Sequence, residues 1–149
     1  MKRLLLLFAL LLGAAATAGA QKGLQIATYF GSDYQKRADA TEVLLGSDAL
    51  KPYRLTLFRS LTLKADLHEA ERIEKAIARD TRNALSREQG KRAGRLYYGY
   101  YELPKTSDGL RRYIFYRNNA LQAGSDGLLT LIYMEGHATM SFIRKSFAK

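Results

Sequence analysis

Between Leu96 and Asn119 the chain reads LYYGYYELPKTSDGLRRYIFYRNN, and six of its ten tyrosines fall inside this stretch. Alternate residues separate into two sets, Leu96, Tyr98 and Tyr100 against Tyr97, Gly99, Tyr101 and Leu103. A period of two is that of an extended strand. Pro104 to Gly109 form a loop ending in Ser-Asp-Gly, longer than the tightest hairpin connection. On the return strand Tyr113 and Phe115 share one side with Arg111 and Arg117, while Ile114 and Tyr116 share the other with Arg112. The triplet Gly124-Ser125-Asp126 turns the chain again. Leu128 to Met134 then run almost wholly apolar, as a strand covered on both faces does. Strands joined this closely impose an antiparallel meander, against which the rest of the chain must pack.

Upstream, Leu24, Ile26, Thr28 and Phe30 alternate with Gln25, Ala27 and Tyr29, which predicts a half-buried strand ending at the turn triplet Gly31-Ser32-Asp33. Thr41–Leu45 is a second strand, closed by Gly46-Ser47-Asp48, and Pro52 bars a strand interior. Arg54–Leu63 is a third: Leu55, Leu57, Leu61 and Leu63 share a face that only Arg59 interrupts. Two placements suit Arg59, a sheet edge with its head in water, or burial against a carboxylate such as Glu102 or Asp80.

Asp66-Leu67-His68-Glu69 has the pattern of a capped helix start. Ala70, Ile73, Ile77, Thr81 and Ala84 recur at steps of three and four, a stripe suited to lying on a sheet. Acids crowd the first turns and basic residues the last, matching the helix dipole. The pattern predicts a helix from Leu67 to Gln89 with Gly90 as its stop. A short closing helix is predicted after Thr139, with Met140, Ile143 and Phe147 on one side. The order β-β-β-α-β-β-β-α defines an α+β fold with a mostly antiparallel sheet, packed by one long central helix and a short C-terminal one. A parallel sheet needs a helix at each crossover, and the chain does not supply them.

The first twenty residues, MKRLLLLFALLLGAAATAGA, combine Lys2 and Arg3, an apolar core from Leu4 to Leu12 and the small-residue site Ala18-Gly19-Ala20. This is the pattern of a secretory signal peptide cleaved after Ala20, with a retained anchor as the alternative. The expected organisation is a signal peptide at 1–20 and a single α+β domain at 21–149, periplasmic or secreted, with no transmembrane span after signal removal. The chain contains no cysteine, which excludes lipoprotein acylation, disulfides, thiolate catalysis and cysteine metal sites. Its 24 Lys and Arg stand against 14 Asp and Glu. Losing Lys2 and Arg3 leaves 22, a net charge of +8. An exported basic protein meets anionic glycans, lipid head groups or acidic proteins. Nucleic acid is disfavoured as a partner by export.

No catalytic constellation is legible. His68 and His137 are the only histidines, a metal site lacks a third ligand at a known spacing, and no phosphate loop, nucleophile elbow or HExxH occurs. No cofactor is expected. What departs from ordinary composition is the tyrosine. Its commonest use is cross-strand packing. Its functional use is an aromatic platform edged by Arg111, Arg112 and Arg117. Tyr97, Tyr101, Arg112 and Tyr116 form the face expected to stay partly open for binding.

The segments AGAQK, RLYYGYYELP, RRYIFYRNN and LTLIYMEG, without a lipoprotein cysteine, resemble small exported proteins of uncharacterised families from Bacteroidota-type bacteria. The resemblance implies an exported globular protein of unknown function and transfers no active residue. Three roles stand open. One is a non-enzymatic exported module binding an envelope protein or an anionic glycan or lipid head group through the tyrosine–arginine surface. A second is a hydrolase-type enzyme whose Glu102, Glu135 and Asp80 converge in space. A third is a homo-oligomeric structural protein of the envelope.

Overall fold

The computed structural model describes residues 23–147, so the proposed signal peptide lies outside the described residues. One six-stranded, wholly antiparallel sheet organises them, in the spatial order β1-β2-β6-β5-β4-β3. The strands are β1 (Ala40–Leu45), β2 (Leu55–Leu63), β3 (Ser86–Arg92), β4 (Arg95–Leu103), β5 (Arg111–Asn118) and β6 (Leu129–Gly136). Four helices accompany them: α1 (Ser32–Gln35), α2 (Ser47–Leu50), α3 (Leu67–Asp80) and α4 (Met140–Phe147). The α+β class read from the sequence is the class observed.

Both faces of the sheet carry apolar residues, and helices cover them unequally. On the inner face, Ile73 and Ile77 of α3 meet Leu61, Leu63, Leu129, Leu131, Ile114 and Tyr101 in one buried cluster. Asp66 caps α3 by accepting the backbone N–H of Glu69 at 2.8 Å, as the sequence pattern requires. On the outer face a smaller cluster sets Ile143 of α4 against Tyr113, Met134 and Leu55. Phe58, Phe115 and Ile132 remain only partly buried there, because α4 has eight residues and cannot span six strands.

Two elements differ from expectation. Gln25–Phe30 is a 3-10 helix and not a strand. Ile26 and Phe30 are both buried, and a spacing of four suits a helical turn as well as it suits alternation. Asp80 decides between them: its two carboxylate oxygens accept the backbone N–H groups of Gln25 (2.7 Å) and Ile26 (2.9 Å). These donors therefore need no neighbouring strand.

The helix expected to reach Gln89 ends at Asp80. Thr81 turns its hydroxyl back to the carbonyl of Ile77 at 2.8 Å, and β3 follows. Every β3 residue except half-buried Gly90 is exposed, so no apolar alternation marks it as a strand. Only the ladder to β4 holds it extended. Gly90 is accordingly not a helix stop. It lies under the ring of Tyr98, and a Cβ there would come within 2.3 Å of Tyr98 Cε1.

Candidate functional site

α3 closes the face on which the sequence placed a site. Tyr101 and Tyr116 are each 1% exposed and Tyr97 7%. The three tyrosines expected to stay partly open are therefore buried, and of the four residues only Arg112 is half-buried. Tyr101 donates its hydroxyl to Gln89 Oε1 at 2.8 Å, and Tyr116 donates to Glu74 Oε1 at 3.3 Å. Burial pushes both phenols above their ordinary pKa. Arg112 lies at the other end of the strand, its Nε donating to the carbonyl of Pro104 at 2.7 Å. The four residues do not form one surface.

The three candidate acids are divided as well. Glu102 accepts from Arg111 at 2.8 Å on the outer face. Asp80 is engaged with the backbone of Gln25 and Ile26. Glu135 lies buried on the inner face, accepting the hydroxyl of Tyr133 at 2.8 Å. Burial raises the pKa of Glu135 against the opposing pull of that hydroxyl and the Arg112 charge. Burial raises Asp80 too, against its two N–H donors and Arg112. Arg112 is thus a shared neighbour of Asp80 and Glu135, and Glu102 stands apart from both. Among the described residues no group of three or more His, Asp or Glu is arranged to hold a metal ion.

What the fold does assemble is a basic aromatic corner at the far end of β4. Gly90 pairs with Tyr98 and Lys91 with Leu96, so Tyr97 is the extra residue of a β-bulge. A bulge re-aims a side chain. The guanidinium of Arg92 lies 4.3 Å from the Tyr97 ring centroid and that of Arg117 lies 5.0 Å from it. Arg117 also donates to the Tyr97 hydroxyl at 2.9 Å and, through Nε, to Asn119 Oδ1 at 2.9 Å. The Tyr97 hydroxyl in turn donates to Gln122 Oε1 at 2.6 Å. Arg92 and Arg117 are both exposed, and neither is ion-paired with a carboxylate among the described residues.

Next to this corner the uncovered part of the outer face carries an aromatic row. Tyr98 sits 5.6 Å from Tyr100, and Tyr100 meets Phe115 edge-on at 4.9 Å. Arg144 of α4 reaches over Tyr100 at 5.2 Å and pairs with Glu88. The more accessible tyrosines of the hairpin, half-buried Tyr98 and Tyr100, therefore lie on the face opposite the expected one. Of the residues singled out from the sequence, Tyr97 and Arg117 belong to the corner. Arg92 was missed because it lies past the predicted helix stop at Gly90, in a stretch with no strand pattern.

A single antiparallel sheet, one long helix on one face and a basic aromatic corner on the other define an α+β protein. The chain belongs to a family of unknown function (DUF6108), whose model matches residues 13–147. No curated protein and no solved structure matches it.

Proposed function

We propose that this protein is an exported binding module that holds an anionic glycan of the cell envelope on the corner of Arg92, Tyr97 and Arg117. The observation that carries this reading is two exposed guanidiniums gathered on one tyrosine ring, with no carboxylate among the described residues paired to either. Stacking on the ring orders each guanidinium: Arg92 keeps its N–H edge for an anion, while Arg117, with Nε on Asn119 and Nη2 on the Tyr97 hydroxyl, keeps Nη1. Phosphate, sulfate and carboxylate groups accept such edges in paired, charge-assisted hydrogen bonds. Tyr98 and Tyr100 offer flat apolar surface alongside, suited to the face of a sugar ring. The pattern of the first twenty residues supports export, and the net positive charge favours an anionic envelope component over a neutral one.

The test is titration of the purified protein with a sulfated or carboxylated polysaccharide, beside a neutral polymer of similar length. The double variant Arg92→Ala/Arg117→Ala should weaken binding to the anionic polymer by at least about tenfold, the scale of losing charge-assisted hydrogen bonds. Raising the salt concentration should weaken the wild type more than the variant. Equal affinity of wild type and variant, or equal affinity for the neutral polymer, overturns the assignment. Cell fractionation with the mass of the recovered chain tests export: a chain recovered from the cytoplasm with residues 1–20 intact sinks it.

A further inference from the structure

The two edges of the sheet are built differently. β3 presents Arg87, Glu88, Lys91 and Arg92 to solvent and carries one side of the bulge. Charge and irregularity on an edge discourage another strand from pairing with it. The opposite edge, β1, reads ATEVLL. Its one charged residue, Glu42, is turned inward onto Arg59 at 2.6 Å. Val43 and Leu45 are 39% and 36% exposed on the outer face. They continue into an apolar patch, since Leu45 pairs with Phe58 and Phe58 stacks with Phe147, which stacks with exposed Tyr53.

The direction of the free hydrogen-bonding groups follows from one bond. Lys64 donates its backbone N–H to the carbonyl of Asp39, the pair just before Ala40 and Leu63. Antiparallel ladders alternate, so Thr41, Val43 and Leu45 bond to β2, and Glu42 and Leu44 direct their N–H and C=O groups outward, whereas the Ala40 N–H is taken by the carbonyl of Arg37. Among the described strands β1 pairs only with β2.

We infer that β1 pairs with β1 of a second copy, antiparallel about a twofold axis at Val43, giving a continuous twelve-stranded sheet. Charge selects this occupant. A chain of net charge +10 meets a like-charged copy where the surface is locally neutral. The β1 edge is neutral, with Glu42 matched by Arg59 and nearby Asp48 by Lys51; the β3 edge is basic. Register selects the axis. Centring on Val43 sets Glu42 opposite Leu44 of the copy and Thr41 opposite Leu45, so outward-directed groups meet outward-directed groups. Centring on Glu42 would oppose two carboxylates, which destabilises a cross-strand pair. About Val43 the two apolar patches also join on one face, and the same surface serves both copies, as a twofold interface requires.

The chain has no cysteine, so a single introduced one reports the interface cleanly. Two Val43 residues in a non-hydrogen-bonded pair stand about 4.5 Å apart at Cα, within the reach of a disulfide. Oxidised Val43→Cys protein should run as a covalent dimer, and Lys91→Cys on the other edge should not. Light scattering across a dilution series should show wild-type dimers. Val43→Lys should raise the dimer dissociation constant at least tenfold, with unchanged circular dichroism. A wild type that stays monomeric up to its solubility limit overturns the inference. So does a Val43→Cys chain that fails to cross-link, or that captures a different polypeptide in the cell in place of itself. A dimer that survives Val43→Lys lies elsewhere and overturns it equally.

Discussion

Arg59 of β2 closes on Glu42 of β1 at 2.6 Å, and the Glu42 side chain is only 4% exposed. The sequence left Arg59 either at an edge or buried against Glu102 or Asp80. It is mostly covered, with 13% of its side chain exposed, and its partner is neither of those acids. β1 pairs Leu44 with Arg59 and Glu42 with Leu61, so Glu42 is the diagonal neighbour of Arg59 on the adjacent strand. Arg59 also donates to the carbonyl of Phe30 and lies 5.2 Å over its ring. Glu42→Leu alone leaves the Arg59 charge buried without its counter-charge and should cost about 3 kcal/mol of stability. Adding Arg59→Met should recover most of that. Urea denaturation of the two variants decides it: equal midpoints for the single and double variants would mean the pair does not hold β1 to β2.

Tyr101 folds its ring across Gly99, and a Cβ at Gly99 would come within 2.5 Å of Tyr101 Cε2 and its hydroxyl oxygen. Tyr98 lies over Gly90 in a similar way on the outer face. The two sites differ in freedom. Tyr101 is buried and held by Gln89, whereas Tyr98 is only half-buried. Gly99→Ala should therefore destabilise by about 2 kcal/mol and Gly90→Ala by less than about 1. Thermal melting of the two variants in the reverse order would refute this account of the β3–β4 ladder.

The turn between β3 and β4 carries Ala93 at φ +51° and Gly94 at φ +74°. Two consecutive positive φ angles are those of the tight hairpin turn that matches strand twist. Gly94 adopts its angle freely, but Ala93 has a Cβ in the left-handed region, at a cost of about 1 kcal/mol. Ala93→Asn, a residue that tolerates this region, should raise the melting temperature, and Ala93→Val should lower it. A melting temperature that Ala93→Asn leaves unchanged or reduces would count against a strained turn.

Burial raises the phenol pKa of Tyr101, Tyr113, Tyr116 and Tyr133, and with help from Glu69 raises Tyr34 to about 12. For an acid that is neutral when protonated, a raised folded pKa favours folding while both states hold the proton. That contribution is full below the ordinary value of 10.0 and is lost as pH climbs from there through the folded values. Stability should accordingly fall steeply above pH 10. At that pH folded protein should show fewer ionised tyrosines by ultraviolet absorbance than protein in urea. Matching tyrosinate signals in the two states would remove the basis for this prediction.

Much of the architecture was legible because single residues enforce it locally. The Leu55–Leu63 alternation, the Asp66 cap with Ile73 and Ile77, and the aromatic alternation of β4 and β5 each have one stable reading once the apolar face must be buried. Ile26 and Phe30 did not, since a spacing of four satisfies two periods and only Asp80, more than fifty residues away, chooses between them. β3 left no trace, because a polar edge strand pairs through its backbone and carries no apolar alternation of its own.

The sequence by itself determined the α+β class, the capped central helix, the tyrosine hairpin and the basic, cysteine-free character of the chain. These follow from periodicity and composition, which act over a few residues. Tertiary structure alone decided which face of that hairpin meets water. Successive strand residues point to opposite faces, and nothing local states which face α3 will cover. Once α3 settles on Tyr101 and Tyr116, what exposure the hairpin tyrosines keep passes to half-buried Tyr98 and Tyr100, and a single bulge places buried Tyr97 beneath Arg92 and Arg117.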